Sequence, residues 1–135
     1  MRGAGKNLLL LIGGIIMAVS IKELIENKEA IEAAKKAQYD LETSVGTLTV
    51  KLPSRALVLE ALSLDDSDSY IIVNSVVAPD LKDSKLLKTF ECLEPTDLPE
   101  KLFQPGEVAA LSVKIMQLAG YRKEIHAEIH ETAKN

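Results

Sequence analysis

Two histidines close to the end of the chain have the spacing of metal ligands. His126 and His130 are four residues apart, so on a helix both rings would lie on one face, where they could bind a metal ion. In the zinc-protease pattern a Glu directly follows the first His and acts as the base, whereas here that residue is Ala127. No third ligand is indicated. The pair is therefore predicted to be two exposed histidines on a terminal helix, where protonation suits the helix dipole.

An acidic run at residues 65–69, Asp-Asp-Ser-Asp-Ser, has the composition of a calcium-binding loop. Such a loop needs glycine at its sixth position, which is Tyr70 here, and a Glu at its closing position, which this run lacks. Calcium binding is therefore not supported. The acids are predicted to cap a helix over residues 70–77 and to stabilise its positive N-terminal end.

The other reactive residues form no catalytic set. Cys92 is the single cysteine, so it excludes an intrachain disulfide, fits a reducing compartment and is predicted to be a packing residue. Residues 3–6, Gly-Ala-Gly-Lys, lack the preceding strand and the spacing of a nucleotide-binding loop. A net charge of −4 without a basic stripe gives no support to nucleic-acid binding. The sequence predicts a binding protein that is not an enzyme and uses no metal or cofactor.

The composition indicates one small domain with an aliphatic core. A chain of 135 residues fits a single domain, and 47% hydrophobic residues argue against general disorder. Aromatic residues make up only 4% and tryptophan is absent, which favours packed helices over an aromatic-rich β-sandwich. The predicted fold class is mainly α with one β-hairpin (α+β), as a small single-domain helical protein.

The first sixteen residues differ from the rest, and two interpretations compete. Arg2 and Lys6 precede an apolar run at 8–19 that is typical of a secretory signal but shorter than the roughly 20 residues that span a bilayer. Alternatively, the codons for Gly-Gly-Ile-Ile-Met at 13–17 are compatible with a ribosome-binding site followed by an initiator methionine. Translation would then start at Met17, and the assigned start would be wrong. The predicted division is an apolar leader at 1–16, which is either a mis-assigned start or a signal-like segment, and a single domain at 17–135.

The predicted secondary structure after the leader begins with a capped helix. Ser20 and Glu23 form a capping-box pair, which predicts a solvated amphipathic helix to about Gln38. Two runs of alternating polarity within 39–52, joined by a Gly-containing turn at 44–46, predict a β-hairpin.

Short helices are predicted along the next part of the chain. Ser54 is expected to cap one of them. The segment 70–77 is apolar nearly all round, which predicts the most buried helix. The segments that follow are predicted as a helix at 84–93, a short helical turn at 95–103 and a loop at 104–106.

The clearest helical periodicity lies near the C-terminal end. Val108, Leu111, Ile115 and Leu118 are spaced three, four and three residues apart, and Gly120 is placed to end their helix. A last helix is predicted to follow, with an apolar face formed by Tyr121, Ile125 and Ile129.

Ordered motifs in residues 76–135 resemble a known family. Residues 76–86, Val-Val-Ala-Pro-Asp-Leu-Lys-Asp-Ser-Lys-Leu, are similar to the V-V-x-P-x-L-K-D-x-x-L segment of the XkdN-like phage tail assembly chaperones. Residues 98–107 end in a sequence that resembles their L-L-x-P-G-E turn. Leu-Ala-Gly-Tyr at 118–121, ahead of a charged C-terminal segment, is also similar. The order and spacing of these motifs, more than any one of them, indicate the family.

The resemblance implies a function that composition alone does not indicate. Chaperones of this family bind the tape measure protein, a long and largely helical chain, and keep it soluble until tail tube subunits assemble around it. The implied setting is virion morphogenesis of a siphovirus or prophage in the cytoplasm of the bacterial host, with the chaperone absent from the mature virion. The implied partners are the tape measure protein, the tail tube protein and a longer, frameshifted form of the chain. A homo-oligomer is a further alternative. The codons for Ala-Lys-Asn at 133–135 are compatible with a slippery heptamer, the type of sequence at which a ribosome shifts frame to make the longer form.

The partner-binding surface is predicted from the apolar stripes. One hypothesis places it on Leu111, Ile115 and Leu118, or on Ile125 and Ile129 of the last helix. The alternative is that the two stripes pack on each other. A second class of function, an exported or membrane-tethered small helical accessory protein, rests on the leader alone.

Overall fold

The computed structural model describes residues 11–12, 15–121 and 123–130. Its contacts divide the chain into two units, Lys36–Lys123 and a second unit of Met1–Lys35 with Glu124–Asn135. Most of the predicted leader lies outside the described residues, and so do the frameshift-compatible residues 133–135. Within the leader, strand β1 (Leu11–Ile12) pairs in antiparallel fashion with strand β2 (Ile15–Ile16).

Two short helices follow in the same unit, α1 (Ile21–Glu26) and α2 (Lys28–Lys35). The predicted capping box is confirmed, because the Glu23 amide donates to Ser20 Oγ at 3.1 Å and the Ser20 amide donates to Glu23 Oε1 at 2.8 Å. The prediction of one continuous helix is wrong. Asn27, a weak helix former, interrupts it with φ −96° and ψ 11°. No residue of either helix is buried, although the segment carries apolar residues such as Ile21 and Ile25.

The predicted hairpin is confirmed in the other unit. Strand β3 (Gln38–Thr43) begins where the first helix was expected to end, and it pairs antiparallel with strand β4 (Gly46–Lys51). Gly46 follows the turn with φ +126°, a conformation that side-chain-bearing residues rarely adopt. Leu48 and Val50 alternate along β4 with more exposed neighbours, so one face of the hairpin points into the core.

A third strand that the sequence analysis does not predict completes the sheet. Strand β5 (Val76–Ala78) pairs antiparallel with β4, and the strand order is β3-β4-β5. The helix prediction for residues 76 and 77 is therefore wrong. Two consecutive valines favour a strand, and Pro79 disfavours helical geometry at the residue before it. The described residues form seven α-helices, the short β1–β2 pair and a three-stranded antiparallel sheet, so the predicted α+β class is confirmed and the predicted hairpin gains one strand.

Helices α3 (Arg55–Leu62) and α4 (Ser67–Ser75) follow the hairpin and pack against each other. The Ser54 cap is confirmed, since Ser54 Oγ accepts from the Leu57 amide at 3.1 Å. Helix α4 starts three residues earlier than predicted, and the side chain at its N-cap, Asp66, makes no capping hydrogen bond. The prediction that this segment is the most buried holds for its centre, where three successive residues are buried: Ile71, Ile72 and Val73.

The next helices are shorter or longer than predicted. Helix α5 (Ser84–Thr89) ends before residue 93, and the turn predicted at 95–103 is a 3-10 turn (Pro95–Asp97) followed by α6 (Pro99–Leu102). The loop predicted at 104–106 is wrong, because α7 (Pro105–Leu118) starts there. Proline is favoured at the first helical position, where its missing amide hydrogen would have no partner in any case.

The end of α7 follows the prediction, but the segment after it does not. Gly120 has φ +96°, its amide donates to the Gln117 carbonyl at 2.9 Å, and the Tyr121 amide donates to the Met116 carbonyl at 3.0 Å. These two bonds form a Schellman motif that terminates the helix. The predicted last helix is wrong, since residues 123–130 contain no helix. A short stretch that buries no apolar face lacks the packing that stabilises most helices.

Helix α4 is the central element of this unit, packing against α3, α6, α7, β5 and the 3-10 turn. The core around it is aliphatic apart from one phenylalanine, in agreement with the composition. Its buried apolar members are Leu48, Val50, Val58, Ala61, Ile71, Ile72, Val73, Val76, Leu81, Leu98, Phe103, Val108, Leu111 and Ile115.

Candidate binding groove

The residues with potential metal or nucleophile chemistry are not assembled into a site. His126 Nε2 lies 2.9 Å from Glu128 Oε2 in a non-helical segment, so His126 and His130 do not share a helix face. In the part of the chain that the structure describes, no three His, Cys, Asp or Glu side chains are arranged to hold a metal ion. Cys92 is half-buried and packs against the core, which fits the predicted packing role.

The structure separates the five residues predicted to bind a partner. Leu111 and Ile115 are buried, Ile115 with only 1% of its surface exposed, and Leu118 is half-buried against the core. Ile125 and Ile129 are 85% and 91% exposed in the segment after α7. The binding role of the five residues stays a prediction.

A groove of about 210 Å³ opens next to the buried stripe, between α3, α4 and α7. Its deepest lining residues are the buried Val58, Ala61 and Ile71. Half-buried Val113 and Met116 contribute from α7, and the buried Ser112 lies between them and the core stripe. The groove is thus mainly aliphatic, and it is open to solvent.

The size of the groove indicates what it can accept. Small-molecule and cofactor sites commonly enclose about 300–1,000 Å³, whereas an apolar cavity of about 150 Å³ takes one benzene ring. A volume of about 210 Å³ therefore suits one large apolar side chain of a partner better than a cofactor. This form of recognition is typical of a helix laid into a groove.

Exposed leucines on α3 extend the apolar surface beyond the groove. Leu62 lines the groove and is 69% exposed, and Leu59, three residues earlier on the same side of the helix, is 56% exposed. Complete burial of a leucine side chain contributes about 1.5–3 kcal/mol. A partner that covers these two residues would therefore gain binding free energy from their burial, because both are exposed in the isolated chain.

A hydrogen bond holds the groove-forming helices together. The Tyr70 hydroxyl of α4 donates to Glu60 Oε1 of α3 at 2.6 Å. This bond raises the pKa of Tyr70, because loss of the proton would break it and place a second negative charge beside Glu60. The hydroxyl stays protonated at neutral pH, and α3 is linked to α4 on its polar side.

A second contact connects the hairpin turn to the first turn of α7. The Ser44 amide donates to Glu107 Oε2 at 2.8 Å, and the Ser44 hydroxyl donates to Glu107 Oε1 at 2.6 Å. These two hydrogen bonds lower the pKa of Glu107, because they stabilise the charged carboxylate. The bonded residues are 63 positions apart, so the contact fixes where α7 begins relative to the sheet.

The buried side of α7 is predictable from the sequence, whereas the groove is not. The predicted stripe from Val108 to Leu118 has regular spacing, whereas Val113 and Met116 fall outside it. A usable indication was present in α3, where Leu57 and Leu59 lie about 100° to either side of the buried Val58, so apolar residues occupy more than one side of the helix. A helix with apolar residues on two sides indicates either deep burial or a binding surface, and exposure decides between them.

The segments described by the structure include no helix with the length and apolar content needed to cross a membrane.

Comparison with known proteins gives a family match that includes the groove. The model of the phage XkdN-like tail assembly chaperone proteins matches residues 46–134, about two thirds of the chain. No curated protein and no solved structure matches the chain. The match confirms the resemblance indicated by the motifs in residues 76–135, and it covers α3, α4 and α7 entirely. The chain therefore belongs to the XkdN-like family of phage tail assembly chaperones.

Proposed function

We propose that the protein binds the tape measure protein of its phage and keeps it soluble while the tail tube assembles around it. The observation that carries this proposal is the open aliphatic groove between α3, α4 and α7, in a member of a tail assembly chaperone family. Membership of a chaperone family implies a role that is not enzymatic. A long helical client exposes apolar stripes before the tube covers them, and a groove of this kind shields such stripes from aggregation.

The predicted partner-binding residues have two roles under this proposal. Leu111 and Ile115 are buried, so they act by holding α7 in place and thereby positioning the groove. Leu118, Ile125 and Ile129 are accessible and supply further apolar contacts to the client. Contacts made by the last two residues would order a segment that has no helix in the free protein.

The remaining partners follow from the family role. We expect the chaperone to act in the cytoplasm of the bacterial host and to leave before the virion is complete. The tail tube protein displaces it from the client, and a frameshifted longer form or a homo-oligomer would present more than one groove to the same long client. Several grooves on one client would raise the apparent affinity through effective concentration. The net charge of −4 helps to keep such a complex dispersed.

Two exposed leucines provide a matched test of the groove. Leu62 lines the groove at 69% exposure, and Leu93 is 98% exposed but does not line it. Each is replaced by Asp in the full chain, which is then co-expressed with the tape measure protein of the same phage. Thermal unfolding of both variants first establishes that the fold is retained.

The expected result is loss of soluble client with Leu62→Asp and normal solubility with Leu93→Asp. Burial of a leucine contributes about 1.5–3 kcal/mol, so client affinity should fall about tenfold to a hundredfold. Equal solubility with both variants would contradict the groove as the client site. If the double change Ile125→Asp with Ile129→Asp alone abolished solubility, the client site would lie on the C-terminal segment instead.

A further inference from the structure

An acidic hollow adjoins the apolar groove. It has a volume of about 140 Å³, and its lining includes the carboxylates of Asp65, Asp66, Asp68 and Glu100. Asp68 lines both hollows, so the groove has an acidic end where α4 begins. Among the residues that the structure describes, no Lys or Arg lines either hollow.

The negative charge at this end is not neutralised by neighbouring side chains. Asp66 occupies the N-cap position of α4, yet its side chain makes no capping hydrogen bond. The salt bridges found among the described residues involve none of the four carboxylates. The positive N-terminal end of the α4 dipole reduces the repulsion among these carboxylates, but it does not occupy their oxygens with hydrogen bonds. These oxygens are therefore available to positive groups on a partner.

Resting on the proposed function, we infer that the groove binds an amphipathic helix that carries Lys or Arg beside its apolar face. One large apolar side chain of this helix fills the groove against Leu62 and Met116. Basic side chains about one turn further along reach Asp65, Asp66 and Asp68. One helical turn advances about 5.4 Å, and the two hollows share Asp68 in their lining, so successive turns of one helix face can contact both.

The acidic end has a selective role under this inference. Rim charges contribute little to affinity in water, but they direct encounter and reject partners of the same sign. An apolar groove alone would accept many exposed helices in the host cell. The carboxylates exclude acidic amphipathic helices and favour basic segments of the client, so they define which stretches of a long helical chain the chaperone covers.

Two designed peptides of about 18 residues, long enough to form a helix, test the inference. Both carry the same leucine face, and the flanking positions at one end are all Lys in one peptide and all Glu in the other. Binding to the full chain is measured by calorimetry. The variants are Asp65→Asn with Asp66→Asn, in which Asn keeps the N-cap preference, and the control Glu29→Gln with Glu91→Gln, which removes two charges elsewhere.

The expected result is roughly tenfold tighter binding of the Lys peptide at low salt. The preference should fall to about threefold or less in the aspartate variant, persist in the control, and disappear near 0.5 M salt because of screening. Equal binding of both peptides would overturn the inference, and so would a preference that survives the aspartate change. An equal loss in the control would also overturn it, since net charge and not this site would then be responsible.

The two proposals fail in different ways. If the Lys peptide is preferred but the tape measure protein is not kept soluble, the groove chemistry stands and the client assignment is wrong. If Leu62→Asp removes client solubility but no charge preference exists, the client assignment stands and the acidic end has no part in recognition.

Discussion

Helix α7 has two apolar faces, one buried in the core and one open to the groove. On one face, Val108, Leu111 and Ile115 are buried, and α7 packs against α4. About 100° further around the helix, Met116 is half-buried and lines the groove together with Val113. The side chains are of the same kind on both faces. What differs is whether another part of the chain lies opposite them.

This difference indicates that stability and binding depend on separate faces of one helix. The buried face supplies the packing that holds α4 and α7 together, so its loss should unfold the protein. The groove face leaves apolar area exposed in the free chain, so its loss should affect a partner more than the fold. Substitutions on each face test this separation directly, and the expected changes in stability decrease in the order given below.

Ile115→Ala should have the largest effect on stability. Removal of a fully buried isoleucine side chain leaves a cavity, and such changes cost about 2–5 kcal/mol. Urea denaturation followed by circular dichroism measures the loss in free energy of unfolding. A loss below about 1 kcal/mol would mean that the buried face of α7 does not hold the core together.

Met116→Ala should destabilise less and weaken binding more. Its side chain is only half-buried, so we expect a loss of about 1–2 kcal/mol in unfolding free energy. Client affinity should decrease as well, because the apolar lining of the groove is lost. The same denaturation series and a pull-down of the tape measure protein measure both effects. A stability loss equal to that of Ile115→Ala would remove the distinction between the two faces.

Glu107→Gln should give a smaller, pH-dependent loss of stability. The hydrogen bonds from Ser44 lower the pKa of Glu107 below its ordinary value of 4.5. The charged carboxylate therefore stabilises the fold fully above about pH 4.5, and this contribution is lost as the pH falls through the lower folded-state pKa. The difference between Glu107→Gln and the unmodified chain should be constant near pH 7 and shrink towards pH 3. Glu91→Gln serves as the control, and identical pH profiles for both variants would contradict the role of the Ser44 contact.

Ser75→Ala should have the smallest effect. Ser75 is fully buried at the end of α4, and its hydroxyl has no hydrogen-bond partner within the described structure. Removing an unsatisfied buried hydroxyl is expected to change the free energy of unfolding by less than about 1 kcal/mol, in either direction. A loss above about 2 kcal/mol in the free energy of unfolding would contradict this, because it would mean that the Ser75 hydroxyl does make a stabilising hydrogen bond.

Local signals in the sequence were sufficient for the features that depend on neighbouring residues. The Ser20 and Ser54 caps, the hairpin turn at Gly46 and the helix end at Gly120 are each determined by a few adjacent side chains and backbone angles. The stripe from Val108 to Leu118 was predictable because burial on one side of a helix leaves a regular spacing of apolar residues in the sequence.

Features that depend on distant partners were not predictable in the same way. Val76 and Val77 have β-branched side chains that favour a strand, but the strand also requires the edge of β4 with which it pairs. Ile125 and Ile129 have the same i, i+4 spacing as buried stripes, but they lie exposed in a segment without helix, and spacing alone does not supply an apolar surface to pack against. The groove escaped prediction for a related reason, since it is a gap among three helices and no single segment encodes it.

The central claim is that the groove between α3, α4 and α7 binds a helix of the tape measure protein. Methyl-labelled full-length chain, titrated with a soluble helical fragment of that client, tests it most directly by NMR. The account predicts that the largest shifts occur at Val58, Leu62 and Met116, while the methyl groups of Leu93 do not move. Shifts confined to the C-terminal isoleucines, or centred on Leu93, would contradict it.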